Sequence, residues 1–184
     1  MSRAEIKEYI EAFIVAVVLA LFIITFIAQS FLVQGSSMEP SLHHSQRLMV
    51  DKISYRFVEP RLGEIVVFRY PTDPRRKFIK RIIGVPGDEI LINQGFVYVN
   101  GQRLDEPYIN GPTYGAFSRD YGPVTVPTDS FFVLGDNRRN SDDSRYPDVD
   151  FVNSQLLIGK AIVVYWPLSN AELIRIPGSL RTSD

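Results

Sequence analysis

"GEIVVFRYPTDPRRKFIKRIIGVPGDEI", Gly63 to Ile90, is the stretch that decides the fold. Its first nine residues read as a short apolar strand ending at Pro71, because Ile, Val and Phe suit a pleated surface and proline donates nothing to a ladder. "TDPRRK" reads as a charged turn. From Lys77 the pattern alternates for part of its length and then turns at "VPGD". Upstream, "QRLMVDKISYRF" looks like a strand with a ragged face. Downstream, "ILINQGFVYVNGQRL" is a hairpin signal, with Asn100-Gly101 the stronger turn and Gln94-Gly95 the weaker. Residues 105–127 are rich in Gly, Pro, Tyr and Asn and predict loops and short strands. "SFFVLGDNRRNSDDSRYP" is an apolar strand running into a polar loop, and "LLIGKAIVVYWP" is the last good strand.

Composition agrees with a β-rich body. The 184 residues include 12 Phe, 9 Tyr, 12 Pro and 12 Gly, a mixture that favours strands and turns over a helical bundle. With 20 basic and 21 acidic residues the net charge is -1, and no long basic block argues for a nucleic-acid partner. Cysteine is absent, which excludes thiol chemistry, disulfides and cysteine-ligated metals. The two histidines, His43 and His44, are adjacent. A histidine-based triad or a multi-histidine metal site is therefore not expected, and no cofactor or metal is assigned.

The N-terminus is different. From Ala12 to Val33 the chain reads "AFIVAVVLALFIITFIAQSFLV" with no charge. At 1.5 Å per residue such a helix spans a hydrocarbon core of roughly 30 Å. One transmembrane helix is expected there; a cleavable secretory signal or a buried core helix are the alternatives. Arg3 and Lys7 before it nearly balance Arg47 and Lys52 after it, so charge does not set the orientation. The expected organisation is a short tail over 1–11, an anchor over 12–33, a mostly antiparallel β body over 34–90 and 130–176, a small inserted lobe over 91–129, and a polar tail over 177–184.

A serine needs a base to become a nucleophile. Ser36 and Ser37 follow the apolar run, and composition does not choose between them. His43 and His44 read as an exposed loop pair. Lys80 is the better candidate base, since on a strand it shares a face with Phe78 and Ile82, and burial lowers a lysine pKa. The rival for Lys80 is an edge-strand lysine reaching water. Lys77 points the other way, beside Arg75 and Arg76. The polar loop Gly135–Arg145 starts at a strand end, where functional loops are common. A solvated turn is the plain alternative. A calcium loop is disfavoured by Arg138, Arg139 and Arg145 and by the spacing.

In order, the anchor, "SSMEPSL", "RLGEIVVFRYP", "KFIKRIIGVPGDEI" and "GDNRRNSDDSR" resemble the type I signal peptidases, membrane-bound Ser-Lys proteases, over nearly the whole chain. The resemblance implies Ser37 as nucleophile and Lys80 as general base. It implies Ser141 as the residue that hydrogen-bonds the lysine amine, and Asp143 with Arg145 as a supporting ion pair. Asp136, Asn137 and Arg138 are implied as structural, and Met38 and Pro40 as shaping residues. Some members carry a serine where this chain has Gly35, so the oxyanion would rest on the Ser37 N–H, with Gly35 contributing through its backbone or a water. Ser41 stands where threonine is frequent. The short chain is similar to the compact Gram-positive, cyanobacterial or plastid-like members. The implied partners are signal peptides of exported preproteins, with small residues one and three positions before the cut, together with membrane lipid and the neighbourhood of the secretion translocon. The implied place is the plasma membrane, single-pass, with the catalytic domain on the extracytoplasmic side; the thylakoid membrane is the alternative. Apolar loops around Phe68–Pro71 or Tyr114–Phe117 are expected to touch lipid. Two rivals stand beside this: a self-cleaving Ser-Lys protease of the SOS-repressor type, and a non-catalytic membrane-tethered binding protein on the same scaffold.

Overall fold

In a computed structural model that describes residues 3–180, helix α1 runs Arg3–Phe22 and is followed by a π-helical turn, Ile23–Ile27. Twelve strands follow: β1 Ala28–Leu32, β2 Arg47–Asp51, β3 Ile65–Tyr70, β4 Asp73–Gly84, β5 Glu89–Asn93, β6 Phe96–Val99, β7 Gln102–Arg103, β8 Tyr121–Thr125, β9 Ser130–Leu134, β10 Val152–Asn153, β11 Leu157–Trp166 and β12 Glu172–Leu173. An eight-stranded sheet has the order β1-β2-β11-β3-β4-β9-β10, with β12 beside β11. A four-stranded sheet, β7-β6-β5-β8, is inserted between β4 and β9. Every pairing is antiparallel.

The apolar run does not form one helix over 12–33. The helix starts earlier, at Arg3, and ends at Phe22. The last third becomes β1, paired in register from Ala28↔Asp51 to Leu32↔Arg47. There β2 offers a ladder to join, and the chain leaves the helix for it. Phe31 and Val33 then enter the main core rather than a bilayer. Among the described residues no helix is long and apolar enough to cross a membrane. The expected N-terminal tail over 1–11 is helical from Arg3, and 181–184 of the expected C-terminal tail lie outside the described residues.

The "TDPRRK" turn is also shorter than its composition suggests. Only Pro71 and Thr72 turn; β4 already begins at Asp73, and a bulge between Asp73 and Lys77 absorbs Pro74. Phe68 is fully buried, and Tyr70 is buried and stacks on Phe78 at 4.5 Å, so Phe68–Pro71 is not an exposed apolar loop. Tyr114 and Phe117 are exposed. Both hairpin signals of the inserted sheet are real turns: Gln94-Gly95 joins β5 to β6, and Asn100-Gly101 joins β6 to β7, each with positive φ at both residues.

Three apolar clusters fill the body. One lies under β1, β2 and β11 and includes Met38 and Leu42; a second joins β3, β9 and β10; a third joins the inserted sheet to β9 through Phe132 and Leu134.

Candidate active site

The segment after β1 folds back on itself. Val33 N–H donates to Gln46 O and Ser45 N–H to Val33 O, closing a loop over residues 33–46. Within it Leu42 N–H donates to Met38 O, and both side chains are buried in the first cluster. These two apolar hooks pin the turn that carries Ser37. Asn137 holds it from the other side: its N–H donates to Ser37 O (3.0 Å) and its Nδ2 to Ser36 O (3.1 Å).

Lys80 lies on β4, opposite Val66, and is 4% exposed. Its Nζ donates to Ser37 Oγ at 2.9 Å and to Ile79 O at 3.1 Å. Burial pushes the Lys80 pKa down to about 8; Asp143, Asp142 and Asp136 pull it partly back and Arg145 pushes it further down. Desolvation is the larger influence because it acts on the ammonium directly. Lys80 is thus a dry residue facing a hydroxyl, not a lysine reaching water.

Ser141 sits beside this pair, but its hydroxyl makes no hydrogen bond to Lys80. Its Oγ is buried without a partner among the described residues and rests against Gly135. A β-carbon at Gly135 would lie 2.2 Å from Ser141 Oγ and 2.5 Å from the Ser37 carbonyl oxygen. Gly135→Ala therefore has to push the Ser37 turn away, and overpacking of this kind costs about 1–3 kcal/mol. We expect that loss of stability in chemical denaturation, with peptidase activity falling by at least a further order of magnitude per molecule still folded. Normal activity in the alanine variant would mean that the close approach is not needed.

Two buried ion pairs frame the site. Arg81 donates to both oxygens of Asp136 (2.9 and 2.6 Å), to Gly63 O and to Ser41 Oγ, with the Tyr108 ring beneath it at 4.3 Å. Its charge is thus spent on Asp136, pointing away from Lys80. Arg145 grips Asp143 (2.7 and 2.9 Å) and also donates to Tyr114 O and Arg138 O. Asp143 in turn accepts the Gly135 N–H at 3.0 Å. A third pair, Arg138 with Glu106 at 2.6 Å, ties this loop to the inserted lobe. Sequence alone does not single out Glu106 and Tyr108. The only hint was an acidic residue in one loop and arginines in another, 32 positions away.

Gly35 adopts φ +90°, which favours glycine, and its N–H donates to His44 Nδ1 at 3.1 Å. His44 thus braces the turn instead of standing idle. Pro40 is exposed, while Met38 before it is buried.

The pair opens onto a cleft of about 610 Å³ lined by Phe31, Val33, Ser36, Ile79 and Asn140 among others. Its sides are free strand edges. β1 is the last strand of the sheet, and β4 pairs with β9 only from Arg81 onward.

The description "Signal peptidase, peptidase S26" matches residues 6–166 of this chain. The chain belongs to the peptidase S26 family. Among S26 relatives, Probable signal peptidase I-2 of Synechocystis sp. is 49% identical over 167 residues, covering 88% of this chain and 73% of its own. Signal peptidase I of Leptolyngbya laminosa is 43% identical over 176 residues, 91% and 83% respectively. Signal peptidase I P of Bacillus subtilis subsp. natto is 35% identical over 173 residues, 91% and 92%. As a member of the S26 family the chain is a protease.

Proposed function

We propose that the chain is a signal peptidase I that removes signal peptides from exported preproteins through a Ser37–Lys80 dyad. The observation that carries this is the 2.9 Å contact between a buried amine and a serine hydroxyl at the floor of a cleft between two open strand edges. With its pKa near 8, Lys80 is neutral in a useful fraction of molecules and then accepts the proton that Ser37 Oγ gives up. Oγ attacks the carbonyl before the scissile bond. The Ser37 N–H donates to no acceptor among the described residues and is available for the developing oxyanion. The lysine ammonium returns the proton to the leaving amine; it then takes one from water, which hydrolyses the acyl-enzyme and frees Ser37. An extended peptide would pair with the free edges through its backbone.

In this reading Ser141 is a latent partner for the amine. Ser141→Ala should leave stability unchanged or raise it by up to about 1 kcal/mol, because it removes a buried hydroxyl that bonds nothing. If Ser141 orients Lys80 during turnover, kcat falls at least tenfold in the same variant. Unchanged kcat would remove that role.

The helix is the proposed anchor. Its charge-free part, Ala12–Phe22, together with the π-helical turn Ile23–Ile27 is at most about 24 Å long, short of a hydrocarbon core, a mismatch that thinning and snorkelling cations accommodate. Lys7 and Lys52 flank it. Phe13, Val15 and Val18 are 60% exposed or more, with no protein covering them. Single-pass insertion with the body outside the cytoplasm puts Ser37 near the surface where a precursor emerges, and tethering both partners raises their effective concentration.

The direct test is cleavage of a preprotein with small residues one and three positions before its cut, by the full chain in detergent. A mature product starting at that position, formed in trans, supports the reading. Cleavage of the chain itself alone would turn it toward the self-cleaving class.

A further inference from the structure

The segment Lys52–Arg61 leaves β2 where the helix becomes strand. Lys52 N–H donates to Ile27 O (2.9 Å) and Lys52 Nζ to Thr25 O (2.6 Å), so the segment starts against the last helical turn. It is then braced along its length. Asp51 accepts from the N–H groups of Ile53 (2.8 Å) and Ser54 (3.1 Å) and from the Ser54 hydroxyl. Phe57 N–H (3.0 Å) and Val58 N–H (2.9 Å) both donate to Ser54 O. Tyr55 turns inward and donates to Glu64 (2.8 Å), which also accepts from Arg61 N–H (3.1 Å) and Lys160 Nζ (2.5 Å).

A segment tied this way holds its tip in one place. The tip is Phe57, 81% exposed, and Val58, 50% exposed; neither belongs to an apolar cluster of the body. The same segment carries three basic residues, Lys52, Arg56 and Arg61, and between Lys52 and Arg61 one acidic residue, Glu59. A mobile loop would show its phenylalanine to water only part of the time. A braced one shows it always, an arrangement favourable only where something apolar covers it. Aromatic tips ringed by basic side chains suit the boundary between acyl chains and headgroups.

We propose that Phe57 and Val58 enter the edge of the same bilayer that holds the helix, with Lys52, Arg56 and Arg61 among its headgroups. This rests on the anchor reading above. The body then stands on two supports, and the second stops it swivelling about the helix axis, keeping the cleft turned toward the precursor.

The chain has a single tryptophan, which makes the test direct. Full-length protein carrying Trp166→Phe and Phe57→Trp is reconstituted into phosphatidylcholine–phosphatidylglycerol vesicles with acyl chains brominated near the headgroup. We expect blue-shifted emission, quenched at least twofold relative to unbrominated vesicles. Unquenched, water-like emission from a chain that survives alkaline washing of the vesicles overturns the loop contact and leaves the anchor standing. Release of the chain by the wash overturns the anchor, and this inference with it. In addition, Phe57→Asp should lower cleavage of a vesicle-embedded preprotein about tenfold and leave cleavage of a short soluble peptide in detergent unchanged. Equal losses on both substrates, or no loss on either, overturn the proposal.

Discussion

Lys80→Met and Ser37→Ala each reduce preprotein cleavage at least a thousandfold, the scale expected when one member of a nucleophile–base pair is removed. The wild-type chain should show kcat/KM rising with pH. The direction follows from the chemistry: the protonated amine cannot accept the serine proton, so activity is lost as pH falls through the Lys80 pKa, lowered to about 8 by burial. Between pH 7 and pH 9 the neutral fraction rises about tenfold, and the rate should rise with it. An ordinary lysine near 10.4 would still be climbing steeply at pH 9. A profile flat from pH 7 to 9, or appreciable cleavage by the methionine variant, would falsify the dyad. Circular dichroism separates this from misfolding, since methionine has the length of lysine and suits the apolar floor between Phe78 and Ile82.

The second large effect is on stability. Arg81 and Asp136 are 3% and 0% exposed and share two hydrogen bonds. Arg81→Met leaves a carboxylate in a place water does not reach, and breaking such a pair costs about 3–5 kcal/mol. The double variant Arg81→Met with Asp136→Leu removes the orphan charge and should recover at least half of that loss. Chemical denaturation of the three proteins reads this directly. A single variant within about 1 kcal/mol of wild type, or a double variant no better than the single, would show that the pair does not hold the site together.

Much of the architecture was legible because the periodicity is strong where the sheet is built. Val66 and Phe68 mark β3, Phe132 and Leu134 mark β9, and the turn pairs Gln94-Gly95 and Asn100-Gly101 announce the inserted sheet. The end of the apolar run was not legible. Residues 28–33 are uncharged like those before them, Gln29 and Ser30 are too few to end the run, and hydropathy cannot tell whether Phe31 and Val33 are meant for lipid or for a core. Only the ladder with Arg47–Asp51 separates the two. Lys80 could be read from its neighbours on β4. Glu106 and Tyr108 could not, since their partners Arg138 and Arg81 are distant in sequence and meet only once the lobe folds down. His44 reads from sequence only as half of an exposed loop pair, since accepting one backbone N–H leaves no pattern in the residues around it.

The union of helix and sheet at Ile27–Ala28 has a consequence for choice of cut. No slack tether separates the two; the chain goes from helix directly into a hydrogen-bonded strand, and Ser37 follows five residues after that strand ends. On the proposed reading the hydroxyl hovers at a constant altitude over the lipid. The enzyme then works as a calliper: a precursor is trimmed at the residue its own apolar segment lifts to that altitude, and small side chains merely decide among bonds already in range.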